Sequence, residues 1–507
     1  MLFNSPVFLF AYLPVTLFGF FLTARLGASS ALAWLTAASV VFYGWWNVAW
    51  VPLMLASIGF NYVAARTVAA RLAGVSASGW TRIPARAVLI CAITVDLAAL
   101  VYFKYASFVV DTVARLSGTS WRWPAGELPL GISFFTFTQI AFLVDVYQRR
   151  AVDFSPVRYG LFVTYFPHLI AGPILHHREM MPQFERADIF RFSATRLADG
   201  LVMFVLGLFK KAVLADTFAG YASPAFAAAG THALSLFEAW GAALSYTLQI
   251  YFDFSGYSDM AIGLALMIGV QLPMNFRSPY RSRNIAEFWR RWHMTLSRFL
   301  RDYLYIPLGG NRHGLARQQA SLMITMLLGG LWHGAGWTFV IWGGLHGAYL
   351  MAYHAWRRAA GRVGRLGRPA PLVGVAMAPL AWLATFLAVV IAWVFFRATD
   401  LRSAMSVLHG MVGQHGAQLP DQIIALMPAL GGVADGVGKV PYLADGTVMG
   451  FVEMVLMLGL GMAIVVRAPT LPELRLRTRY LLVVPCAALA LQRVVWGASS
   501  PFLYFQF

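Results

Sequence analysis

The sequence predicts an all-α, polytopic integral membrane protein, and three observations predict it. Hydrophobic residues make up 59% of the 507 and charged residues only 12%. A soluble domain carries roughly 45–50% apolar and about 25% charged residues, and a water-soluble chain has no means of hiding such an excess. Apolar runs, many of them long enough to cross about 30 Å of hydrocarbon as helices, recur along the whole chain. Soluble-enzyme, disordered, collagen-like and disulfide-framework classes are excluded on composition alone. The two cysteines, Cys91 and Cys486, lie inside apolar runs and read as buried free thiols. No basic stretch precedes the first run, and the first basic side chain is Arg25, so that run reads as a retained anchor rather than a cleaved signal.

The runs fall at 6–24, 30–46, 50–64, 87–103, 128–147, 159–175, 201–219, 234–254, 256–276, 318–332, 334–352, 376–396, 449–466 and 480–497. Some are short, so not all need cross. The loops orient them. The formal charge is +18, from 39 Lys and Arg against 21 Asp and Glu. In a soluble protein this raises a nucleic-acid partner; here no nucleic acid is expected, because the arginines collect between apolar runs. Segment 65–86 holds Arg66, Arg71, Arg82 and Arg86 and no acid. Segment 277–317 holds nine arginines against Glu287 and Asp302, segment 353–375 five against none, and segment 467–479 four against Glu473. By the positive-inside rule all four are cytoplasmic. Segment 397–446 has three basic and four acidic residues and 498–507 has no charge, so both read as outside. Both termini are then expected on the periplasmic face of an inner membrane, and the whole of 1–507 as one membrane-embedded domain.

Both flanks of 318–352 are cytoplasmic, so its two runs form a hairpin or re-entrant pair. The first arm, 318–332, spans roughly 22 Å as helix, which puts the tip Gly329–Trp337 deep in the membrane. His333 is thereby delivered to membrane depth on a glycine-rich turn, beside Trp332. An ionisable residue there is a functional candidate by default.

Four further segments carry chemistry. Apolar residues at 285, 288, 289, 292, 296, 299, 300 and 303 predict one helix over 284–304, opened by Asn284 and Glu287 in a capping-box pattern. His293 then sits on or beside the apolar stripe, either as a core histidine or as a site residue. Arg290, Arg291 and Arg298 are available to lipid phosphates or to an anionic donor. The stretch Tyr251 to Asp259 places Asp253, Ser255 and Asp259 between apolar runs; Asp259 reads as structural, while Asp253 reads equally as a network member or a pocket carboxylate. In Thr164 to Pro173 the two prolines predict a broken, re-entrant segment; His176, His177 and Glu179 follow, without the spacing of a metal site, and no metal is expected. The tail Ser500 to Phe507 is an aromatic cluster able to fold into a groove and present the Tyr504 hydroxyl. No phosphate-binding loop or nucleophile elbow is present.

Met1 to Phe10, Leu128 to Phe137, Ala171 to Pro173, Tyr251 to Asp259, Asn275 to Tyr280, Phe288 to Ser297 and Leu331 to Gly334 together, in order and across nearly the whole chain, resemble the membrane-bound O-acyltransferase (MBOAT) superfamily. The likeness is to its bacterial branch of alginate O-acetylation subunits and teichoic-acid D-alanine exporters. The resemblance implies a ring of about ten to twelve membrane helices with re-entrant segments. It implies His333 as catalytic base, His293 as second site histidine and Tyr504 as an acyl relay. The donor would be acetyl-CoA, with no resident cofactor. The partners would be the lipid bilayer, a periplasmic acetyltransferase and a polysaccharide acceptor. A D-alanyl exporter, a long-chain acyltransferase and a transporter without chemistry are the competing readings; the internal repeats of a transporter are not found.

Overall fold

The computed structural model describes residues 1–74, 83–124, 126–151, 154–363, 371–419, 421–426, 442–444, 446–497 and 500–503. Among them all extended regular elements are helices. Five helices are long and apolar enough to cross a membrane: Val48–Leu72, Ala85–Ser117, Met377–Arg397, Val448–Arg467 and Leu476–Trp496. The chain forms two compact units, one of Met1–Leu208, Tyr257–Met274 and the segment from Arg477, the other of Phe209–Gly256 and Asn275–Leu476.

In the first unit, Leu13–Ala24 and Ala28–Gly44 pair. A Cβ at Gly19 would overlap the Trp34 indole, whose N–H donates to the Thr16 carbonyl at 3.0 Å. Polar pairs tie the following apolar helices together. Asn61 donates to Asp96 at 2.8 Å and Gln139 to Ser57 at 2.9 Å, the kind of link that helices in lipid use where apolar contact gives no preference for protein over lipid. The expected break in 159–175 is present. Pro156–Thr164 stops at Tyr165, because Pro167 has no N–H to continue the ladder, and Phe166–Leu169 is a single short turn. Residues 500–503 are anchored. Asn4 donates to the Ser500 carbonyl at 3.1 Å, and the buried Phe502 ring meets Tyr257 edge-on at 4.4 Å, with Phe3 stacked on Tyr257 at 4.8 Å.

Four expectations are corrected. Cys91 is exposed on its helix and Cys486 half-exposed, although both are free thiols; an apolar run does not say which side turns outward. The runs 234–254 and 256–276 are not two helices: Leu236–Ile268 is continuous over 33 residues. The polar stretch does not interrupt it because Asp253 is neutralised by Lys211. The single helix expected over 284–304 is instead Ile285–Trp289, a turn, Met294–Leu300 and a π-turn at Arg301–Tyr305. The first hairpin arm is Gly314–His333, 20 residues or about 30 Å, so the short-arm argument for the depth of His333 does not hold.

The second unit is built around that hairpin. A Cβ at Gly330 would overlap the Phe339 carbonyl, and one at Gly343 the Met326 carbonyl, so the arms Gly314–His333 and Trp337–Val363 pack backbone to backbone. Pro371–Arg397 brings Trp393 to the Tyr280 hydroxyl, to which its indole N–H donates at 3.2 Å. Tyr280 itself donates to the Thr247 carbonyl at 2.6 Å. The expected outer loop 397–446 contains the helix Leu401–Met411, capped by Asp400, which accepts from the Ser403 N–H at 2.8 Å.

Candidate active site

The two histidines singled out in the sequence lie close together in the second unit, with ring centroids 6.5 Å apart. His333 is the last residue of its helix. Gly334 follows in extended backbone, and a Cβ there would overlap the Phe339 ring, so the chain turns in three residues before Trp337. The His333 ring is buried among Trp332 at 4.9 Å, Trp342 at 5.1 Å and Phe396 at 5.1 Å. Three separate stretches of chain thus build an aromatic box round one imidazole. Trp332 is part of the wall.

His293 reaches the same place by a different route. It is not on a helical stripe; it caps Met294–Leu300 with φ 42°, in the left-handed region. Its ring is buried edge-on against Phe254 at 4.6 Å, near Phe276 at 6.4 Å. Nδ1 lies 3.1 Å from Asn275 Oδ1. Asn284 does cap the preceding helix, accepting from the Glu287 N–H at 2.9 Å, while Glu287 accepts from the Arg283 N–H at 3.0 Å.

Asp253 pairs with Lys211 at 2.9 Å, and Lys211 also holds Asp216 at 2.7 Å, from a π-turn at Lys210–Ala215. Asp253 thus belongs to a buried ion-pair network with Lys211 and Asp216. Ser255 is buried in the same helix, its hydroxyl without a hydrogen-bond partner among the described residues. Of the three donor-binding candidates, Arg290 is exposed and Arg298 half-buried. Arg291 is committed to Glu287 at 2.9 Å and to the Arg277 carbonyl at 3.3 Å. Nearby, Arg277 donates to Glu473 at 2.9 Å. Burial opposes the charged carboxyl of Glu473, but the bonds from Arg277 and Thr470 outweigh it and hold the group below the ordinary carboxylate value.

Tyr504 lies outside the described residues. The described residues contain no cluster of three or more His, Cys, Asp or Glu able to hold a metal ion. His177 is instead held by Asp145 and the Arg150 carbonyl.

Two residues near the box carry roles that the sequence reading did not assign. Asn275 orients His293. His346 lies fully buried on the second arm, where its Nδ1 accepts from the Trp289 indole N–H at 3.3 Å and its ring stacks on Phe288 at 6.0 Å. The signal for His346 was legible: it falls four residues after Trp342, on one face of the helix.

Comparison with known proteins adds to this geometry. The model of the membrane-bound O-acyltransferase family matches residues 91–394. A peptidoglycan O-acetyltransferase from Helicobacter pylori is 42% identical over 446 residues, covering 83% of this chain and 81% of its own length. The probable alginate O-acetylase AlgI of Pseudomonas aeruginosa is 43% identical over 417 residues, 81% of this chain and 75% of the relative. A teichoic acid D-alanyltransferase from Streptococcus thermophilus is 29% identical over 238 residues, 45% of this chain and 57% of the relative.

Proposed function

Because the chain belongs to the membrane-bound O-acyltransferase family, we propose that it passes an acetyl group from a cytoplasmic thioester across the bacterial inner membrane for O-acetylation of an extracytoplasmic polysaccharide. The protein is an acyltransferase and a multi-pass membrane protein. Peptidoglycan and alginate, named by the two relatives, define the acceptor class: a polymer hydroxyl on the outer side. Acetyl-CoA is the donor, its phosphates met by exposed arginines of the 277–317 segment, Arg290 first. The acceptor hydroxyl comes from outside, carried by Tyr504 or by a periplasmic partner that completes transfer to the polymer.

The observation that carries this reading is the pair of buried imidazoles, 6.5 Å apart between aromatic walls. His333 takes the proton of the acceptor hydroxyl as general base. The hydroxyl oxygen bonds to the acetyl carbonyl carbon, the carbon–sulfur bond breaks, and the departing thiolate receives the proton from His333. The products are an acetyl ester and a free thiol. His293 stands beside the reacting carbonyl. The walls keep water from competing for the thioester.

His333→Ala and Tyr504→Phe, each scored for acetyl esters on the cell's polysaccharide, test the assignment. Wild-type acetylation in His333→Ala removes the catalytic role. Wild-type acetylation in Tyr504→Phe removes the relay alone. Labelled acetyl-CoA given to purified protein separates chemistry from transport: label on the protein, or hydrolysis that needs His333, is the enzyme's result.

A further inference from the structure

We infer that Asn275 is a positioning residue that sets the tautomer of His293, so that His293 enters the reaction as an acceptor at Nε2 and not as a donor. The backbone N–H of Thr295 can only donate, and it points at Asn275 Oδ1 from 3.3 Å; the Thr295 hydroxyl donates to the same atom from 2.9 Å. An amide nitrogen in that position would face an N–H, so the atom is the oxygen, although oxygen and nitrogen are otherwise easily exchanged. His293 Nδ1 lies 3.1 Å from this oxygen. A contact between an acceptor and a ring nitrogen requires the proton on the nitrogen. The neutral ring has one proton, so Nε2 carries the lone pair.

The hold on His293 is double. The Met294 N–H donates to the Asn275 carbonyl at 2.9 Å, so residue 275 engages 293, 294 and 295 through both its backbone and its side chain. Within that clamp His293 keeps its left-handed backbone, a conformation disfavoured for a residue with a Cβ. In chemical terms, a neutral His293 so held cannot donate from Nε2 to the oxyanion of a tetrahedral intermediate. It accepts a hydrogen bond from an N–H or O–H of the donor or acceptor substrate, and stabilisation of the oxyanion falls to another group.

The role in the reaction rests on the acyl-transfer reading; the tautomer does not. Ring-¹⁵N-histidine spectra of the full-length protein, with His293 identified by its absence from His293→Gln, are expected to show the proton on Nδ1. A proton on Nε2 overturns the inference. In Asn275→Asp the acceptor is kept but made anionic, which favours the doubly protonated ring. The acid limb of the pH–rate profile for acetyl transfer is then expected to move to higher pH by about one unit or more, with the rate above that limb within about tenfold of wild type. An unmoved limb overturns the positioning role. Failure of the acyl-transfer reading has its own mark, undiminished acetylation in His333→Ala, and leaves the spectral result standing.

Discussion

His177 and His293 are both buried histidines, one in each unit, and their surroundings differ in kind. His177 meets an acceptor at each nitrogen: Asp145 Oδ2 at 3.0 Å and the Arg150 carbonyl at 3.2 Å. Through these contacts the side chain fastens the end of Ile132–Tyr147 to the start of His177–Met180. His293 has an amide oxygen at Nδ1, ring edges and faces around it, and a second imidazole 6.5 Å away. Oxygens at both nitrogens fasten a histidine through directed hydrogen bonds; aromatic walls hold a ring in place by packing. Burial alone therefore does not separate a structural histidine from a chemical one, whereas the character of the neighbours does.

The sharpest way to break this contrast is to remove each ring in turn. His333→Ala is expected to lower acetyl transfer by about 10²–10⁴-fold, the range for loss of a general base, with protein yield near wild type; a full rate in acetyl-ester assays ends the catalytic assignment. His177→Ala is expected to do the reverse. Removing one member of a buried pair costs about 3–5 kcal/mol, read as a fall in the melting temperature in detergent, while the rate per folded molecule stays within about twofold. A catalytic defect without a melting shift would put His177 in the chemistry. Gly343→Leu tests the hairpin that carries His333. Overpacking against the Met326 carbonyl is expected to cost about 1–3 kcal/mol, seen as earlier thermal unfolding.

The smallest effect is expected at the surface. Arg277→Ala removes a partly exposed pair worth at most about 1 kcal/mol. Because the folded state holds the Glu473 carboxyl low, this contribution is present above the unfolded carboxylate value and lost as pH falls through the folded one. A melting difference between Arg277→Ala and wild type that persists at low pH would contradict it.

The contrast also marks what the sequence could and could not disclose. Long apolar runs located the helices, because membrane length and hydropathy are local properties, and glycine and histidine marked the hairpin turn within a few residues. Ordered motifs pointed to the family and to both box histidines. The break at His293 was hidden. Residues 290–293 contain neither glycine nor proline, and what holds the left-handed backbone is Asn275, 18 residues upstream, beyond any periodicity argument. Asp253 misled for the same reason. Its charge is cancelled by Lys211, distant in sequence, so a stretch that reads as a boundary is the middle of a helix. For Cys91, hydropathy reported the run but not the outward side.

Asn4 bonds to Ser500, and Phe3 and Phe502 both pack on Tyr257. Residues from the beginning, middle and far end of the chain therefore close one aromatic cluster. During synthesis the segment 275–476, with both box histidines, is made before residue 500 exists, while Tyr257 still lacks its Phe502 cover. The first unit has to wait: its early helices keep that seat unfilled until residue 502 has been made. A ribosome stalled short of residue 500 thus holds a protein whose two box histidines are made and whose Tyr257 still lacks the Phe502 contact.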